Sequence, residues 1–178
     1  MFLGMSIPLR TIMATQENVM DAFAGESQAN RKYAHFADKA ADEGFKNIAK
    51  LFKAASEAEA FHAKRLLKTG GVSGTTAENL QAAVQGETHE FTEMYPAFIK
   101  EAETEKKSDA IIAFTYAMKA EQVHAGLYKE ALSAVQSKRD LPDRKVLVCT
   151  VCGNIVFDKA PDKCPICSVM PKMYKEIE

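Results

Sequence analysis

The segment ASEAEAFHAKRL, residues 55–66, decides the fold, and AMKAEQVHAGLY, residues 117–128, repeats its design. Each is built from good helix formers. Each places Glu-x-x-His on one helical face: Glu59 with His62, and Glu121 with His124. Residues three apart on a helix lie within about 60° of one another, so each pair can address one centre.

Working outward, the apolar stripes run at spacings of three and four, as amphipathic helices require. The first carries Val19, Phe23, Glu26, Asn30, Tyr33 and Ala37, and the second Ile48, Phe52, Ala55, Glu59, His62 and Leu66. The third carries Leu80, Val84, Glu87, Phe91, Met94 and Phe98, with Glu90 one turn past Glu87. The fourth carries Ile111, Phe114, Met118, Glu121, Ala125, Tyr128 and Leu132. Breaks fall at Gly44, at Thr69 to Gly74 and at Lys106 to Ser108, with Ser108 a suitable N-cap. Residues 14–138 therefore read as a bundle of four helices of about 22 to 30 residues. Gly25-Glu26-Ser27 and Gly86-Glu87-Thr88 open two similar hairpins. Glu26 to Glu59 spans 33 residues and Glu87 to Glu121 spans 34, while Tyr33 to Glu59 and Tyr95 to Glu121 both span 26. The pattern is a duplicated helix hairpin, whose pseudo-twofold brings two like half-sites together.

A lone Glu in an apolar stripe is ordinarily a boundary residue with its head in water. Four helices carrying Glu at matching depth is another matter, because buried carboxylates repel and lose hydration at several kcal/mol each. They need cations: two ferrous ions offset four of the five charges. An oxygen-rich set with two imidazoles suits iron or manganese. One Glu on each of two helices with Glu-x-x-His on each of the others is the di-metal carboxylate pattern of ferritin-like bundles. His35 and His89 point away from this face and read as surface residues. Tyr33, Tyr95 and Tyr128 are candidates for the rim of the site or for ordinary aromatic core. Pro96 is expected to kink the third helix.

All four cysteines of the 178 residues fall after residue 148, as Cys149-x-x-Cys152 and Cys164-x-x-Cys167. Two such knuckles form a tetrahedral sulfur site. On the cysteines alone a structural zinc ribbon is the simpler reading. A neighbouring di-iron site favours a one-electron FeS4 centre instead, because two-electron chemistry must be re-supplied one electron at a time. Val146–Val148 and Ile155–Phe157 are β-type runs, so residues 146–178 form a small β-rich module after a linker at 139–145.

The composition excludes other classes. Lys and Arg total 23 against 24 for Asp and Glu, which argues against a nucleic-acid surface. No apolar run reaches the roughly 18 residues a membrane span needs. Residues 1–13 read as a loosely packed leader with Met13 a possible start, since Arg10 follows rather than precedes the apolar Met1–Leu9. A cytoplasmic setting is expected.

With these motifs in place the chain resembles the rubrerythrin family over residues 14–178. The resemblance rests on GESQ at 25–28 with Tyr33, EAFH at 59–62, GETHE at 86–90 with Met94-Tyr95-Pro96, EQVH at 121–124, and the paired cysteine knuckles. It implies a ferritin-like di-iron domain followed by a rubredoxin-like FeS4 domain. It also implies a peroxidase that reduces hydrogen peroxide to water, with electrons from an NAD(P)H-dependent reductase or a rubredoxin. The implied bridging carboxylates are Glu59 and Glu121. The implied terminal ligands are Glu26 at one iron and Glu87 with His124 at the other. Glu90 and His62 resemble an exchangeable pair of ligands, and Tyr33 and Tyr95 the tyrosines beside the site. Asn154 and Ser168 depart from the family pattern, and Ser168 is expected to weaken an N–H···S contact without removing a ligand. No G-x-G-x-x-G fingerprint is present, so the reductase is external.

The short connection near Lys68 to Thr76 has to span roughly 25 Å in a ferritin-like crossover, close to its extended limit. A homodimer that exchanges hairpins is therefore expected. The competing functions are ferroxidase-type iron handling and a helical interaction module with a zinc ribbon.

Overall fold

The computed structural model describes residues 9–178, with side chains from residue 14 onward. The chain divides into two units, up to Ser73 and from Gly74.

The first unit is a helix hairpin, α1 (Leu9–Asp42) and α2 (Lys46–Thr69). Helix α1 begins before the predicted residue 14, and the remainder of the expected leader lies outside the described residues. Small residues let the two helices approach: Ala37 and Ala40 of α1 and Ala49, Ser56 and Ala63 of α2 are buried. A polar clasp fixes the register. The Asn30 amide donates to the Ser56 carbonyl at 2.7 Å, and the Ser56 hydroxyl donates back to the Asn30 carbonyl at 2.9 Å. Large apolar side chains stay partly uncovered, with Leu51 70% and Phe61 68% exposed. A two-helix hairpin supplies one face for each stripe, whereas a bundle supplies two.

The second unit opens with a capping box in which Thr75 and Glu78 satisfy each other's backbone N–H groups, a signal present in the sequence as Thr-x-x-Glu. The third predicted helix is interrupted. It runs as α3 (Thr76–His89), a π-helical turn (Glu90–Met94) and α4 (Tyr95–Thr104). The Tyr95 N–H reaches five residues back to the Glu90 carbonyl. The interruption is this π turn, and Pro96 follows it as the second residue of α4. Helix α5 (Ser108–Gln136) packs antiparallel to this segment. Ser108 is its first helical residue rather than its cap, and the capping position falls to Lys107 with no side-chain bond.

The module after α5 is a three-stranded antiparallel sheet in the order β2-β1-β3, with β1 (Val146–Cys149), β2 (Ile155–Phe157) and β3 (Tyr174–Ile177). Strands β1 and β2 match the two β-type runs; β3, whose YKEI sequence is mostly polar, was not foreseen. Cys149, Cys152 and Cys164 form its buried centre, packed with Tyr116 of α5 and with Tyr174. No helix among the described residues is long and apolar enough to cross a membrane.

Candidate metal centres

Among the described residues three ligand groups form, each within one unit. In the first hairpin Glu26, Glu59 and His62 bring ligand atoms within 4.8 Å of one another. His62 Nδ1 lies 2.8 Å from Glu59 Oε2 and 3.7 Å from Glu26 Oε1. In the second hairpin Glu87, Glu121 and His124 do the same. His124 Nδ1 lies 2.7 Å from Glu121 Oε2 and 4.0 Å from Glu87 Oε2. Both Glu-x-x-His pairs therefore converge as their helical spacing requires.

The carboxylates show the strain of unneutralised acids held together. A bond to Glu59, then burial and the Glu59 charge, raises Glu26 above the usual carboxylate range. Burial, with Glu121 next, raises Glu87 to about 7. Glu90 at the head of the π turn is raised by burial and by Glu121. It is close enough to Glu121 and His124 to feel their charge, though it is outside the tight ligand group. Glu87 Oε2 is buried without a hydrogen-bond partner. An orphaned, desolvated carboxylate oxygen beside two further ligands is what a cation would satisfy, and the donor set fits iron.

The two imidazoles are supported differently. His124 Nε2–H donates to the Gly153 carbonyl at 2.9 Å. A carbonyl only accepts, so Nε2 carries a proton, and Nδ1 is the nitrogen that faces the carboxylates and is available to a metal, the arrangement of a metal-ligating histidine with an outer partner. The bond also ties α5 to the residue following Cys152. The His62 side chain is 59% exposed, with no comparable anchor among the described residues.

Tyr33 and Tyr95 each head an aromatic triad, and the triads repeat at an offset of 62 residues: Tyr33, Phe36, Phe52 and Tyr95, Phe98, Phe114. Phe36–Phe52 and Phe98–Phe114 both stand 5.6 Å apart. Burial and the nearby Glu90, Glu121 and Glu87 charges hold the Tyr95 phenol above its usual range. Tyr128 is half-buried on α5. His35 and His89 are exposed, and His89 pairs with Glu93 at 3.4 Å.

The four cysteines form the third group. Cys149 and Cys167 sulfurs lie 3.6 Å apart, and Cys152 and Cys164 3.5 Å apart. They are free thiols, three of them buried, and main-chain N–H groups are aimed at the sulfurs of Cys152, Cys164 and Cys167. The set fits a tetrahedral S4 metal. Ser168 adopts the left-handed backbone that glycine would take, with φ of 62°, and its N–H bonds the Cys164 carbonyl at 2.9 Å. The strain is about 1 kcal/mol. The N–H on Cys167 comes from Val169.

Sequence reasoning missed Tyr174. Its hydroxyl bonds Cys164 and accepts from Asn154, and only the β3 pairing places it there.

The family profile described as Rubrerythrin matches residues 17–132, and that described as Rubrerythrin, rubredoxin-like domain matches residues 148–175. Rubrerythrin-2 of Clostridium acetobutylicum is 35% identical over 175 residues, covering 90% of this chain and 95% of its own. Nigerythrin of Nitratidesulfovibrio vulgaris is 37% identical over 169 residues, covering 86% and 82%. The solved structure of nigerythrin in its fully reduced, all-ferrous state is similar with a TM-score of 0.55 at 31% identity, over 98% of this chain and 89% of that one.

Proposed function

The chain belongs to the rubrerythrin family, whose members are oxidoreductases with a non-haem di-iron site and a rubredoxin-like FeS4 domain, and on that premise we propose that it is a peroxidase. It reduces hydrogen peroxide to two waters with two electrons and two protons. The electrons come from an external NAD(P)H-dependent reductase or a rubredoxin through its own cysteine module, in the cytoplasm.

The observation that carries this reading is the His124–Gly153 hydrogen bond. It joins the imidazole of one carboxylate group to the residue beside Cys152, within one unit of one chain. A ferroxidase has no use for that link. When bound, the irons supply Lewis acidity and one-electron transfers. Glu59 and Glu121 are assigned as bridging ligands, Glu26, Glu87 and His124 as terminal ligands, and Glu90 and His62 as an exchanging pair. The exposed His62 ring and the position of Glu90 in a π turn, where helices commonly carry functional irregularity, support that exchange. Tyr95 keeps its proton at neutral pH and can donate it in a hydrogen bond to an oxygen at the site; Tyr33 is assigned the same place in the other hairpin.

The proposed assembly is a homodimer with exchanged hairpins. Six residues, 70–75, separate α2 from α3. Both ends are clamped: Gln16 donates to the Gly70 carbonyl at 2.8 Å, and the Asn79 side chain bonds both main-chain groups of Gly74. At roughly 3.5 Å per residue such a segment reaches about 25 Å only when fully extended, and its clamped ends oppose that extension.

Steady-state NAD(P)H oxidation with an added reductase tests the function. Activity with peroxide that disappears in Cys164→Ser is expected. Retained steady-state activity in that variant removes the relay, and Fe(II) oxidation without peroxide turnover replaces the peroxidase with a ferroxidase.

A further inference from the structure

Three of the cysteine sulfurs take N–H donors from the main chain: Asn154 on Cys152, Cys167 and Ile166 on Cys164, and Val169 on Cys167. Cys164 has an additional donor of another kind, the Tyr174 hydroxyl. The antiparallel register pairs Tyr174 with Cys149 and sets its ring against the thiol cluster.

Behind this hydroxyl stands Asn154, only 2% exposed. Both its main-chain groups are committed to the cysteine knuckle. Its N–H bonds Cys152, and its carbonyl accepts from the Cys149 N–H at 2.9 Å. Its side chain is thereby aimed inward, where Nδ2–H donates to the Tyr174 oxygen at 3.0 Å. A buried amide needs partners. Here the partner is a phenol oxygen, and an oxygen that accepts the amide proton turns its own proton outward, toward the sulfur.

We propose that Tyr174, oriented by Asn154, is a positioning residue for the FeS4 centre that raises its reduction potential by hydrogen bonding to the Cys164 sulfur. The inference rests on the reading that the cysteines hold iron. One-electron reduction adds a negative charge that is shared with the thiolate sulfurs, and a donor aimed at one sulfur stabilises the reduced form more than the oxidised form. The module thus accepts an electron from its external donor more readily.

The test uses the iron-loaded full-length protein. Midpoint potentials are measured by spectroelectrochemistry for the unaltered protein, Tyr174→Phe and Asn154→Leu. Phe keeps the ring and its packing, so a purely structural role leaves the potential unchanged. Tyr174→Phe is expected to shift the redox equilibrium about tenfold toward the oxidised form, about 59 mV lower for one electron, and to move the sulfur-to-iron charge-transfer bands to longer wavelength. Asn154→Leu is expected to shift it about threefold in the same direction by releasing the phenol. A Tyr174→Phe potential and spectrum matching the unaltered protein, with full FeS4 colour, overturns this proposal alone. Zinc at the cysteines with no FeS4 colour after iron loading overturns the iron reading and the proposal with it.

Discussion

In the first hairpin His62 Nδ1 stands 2.8 Å from Glu59; in the second His124 Nδ1 stands 2.7 Å from Glu121. The surroundings of the two rings share little. His62 is 59% exposed, whereas His124 is 17% exposed and held through Nε2 by Gly153. The first hairpin is closed by the Asn30–Ser56 clasp on regular helices, while the second has a π turn at the corresponding place. The repeated sequence presents the candidate ligands, and the unrepeated neighbours leave one imidazole anchored and the other exposed.

The sharpest way to break this comparison is to remove a carboxylate common to both hairpins. Glu59→Ala and Glu121→Ala should each abolish peroxide turnover, by more than about a hundredfold, with di-iron loading lost. Iron per chain and initial rates check it, and tolerance of either change would mean that the hairpins do not share one site. The imidazoles should separate next. Loss of an outer partner of a ligand costs about ten- to a hundredfold in metal affinity, so His124→Ala, which removes the ligand itself, should weaken iron binding by at least that much and His62→Ala by less, as read by competition with a chelator.

Deleting Thr92 gives the second hairpin the spacing of the first. The π turn should revert to α-helix, Glu90 should rotate off the site, and turnover should fall about tenfold as in Glu90→Ala, with iron content kept. If the proposed exchange of hairpins holds, inserting Gly-Ser repeats after Ser73 should give a monomer with unchanged metal content, seen by light scattering.

The smallest effect concerns metal-free protein. Glu87 is raised from 4.5 to about 7 in the fold, mainly by burial. Folding therefore favours its protonated form, so that stability is present below the unfolded value of 4.5 and is lost as pH rises through about 7. The loss should be on the order of 2 kcal/mol, measured by denaturant unfolding at pH 5 and 7.5, and it should vanish in Glu87→Gln.

Much of this was legible in the sequence, because helical spacing and side-chain type carry the needed information locally. Glu59, His62, Glu121 and His124 lie within single turns, and the cysteine knuckles within four residues each. The π turn was also written there, in the extra residue between Glu87 and Tyr95 compared with Glu26 and Tyr33. An uneven spacing between otherwise equal repeats marks a bulge, and its position coincides with Glu90–Met94. The His124–Gly153 and Asn154–Tyr174 bonds were not legible, since they join residues 29 and 20 apart through tertiary packing. Strand β3 escaped because its exposed polar residues lack alternation and its pairing with β1 defines it.

The most direct test of the central claim mixes reduced, iron-loaded protein, free of oxygen, with one equivalent of hydrogen peroxide or of O₂ while the FeS4 absorbance is followed. The account predicts rapid return of the oxidised FeS4 colour with peroxide and slow return with O₂. Equally slow return with both would contradict a peroxidase fed through its own cysteine module.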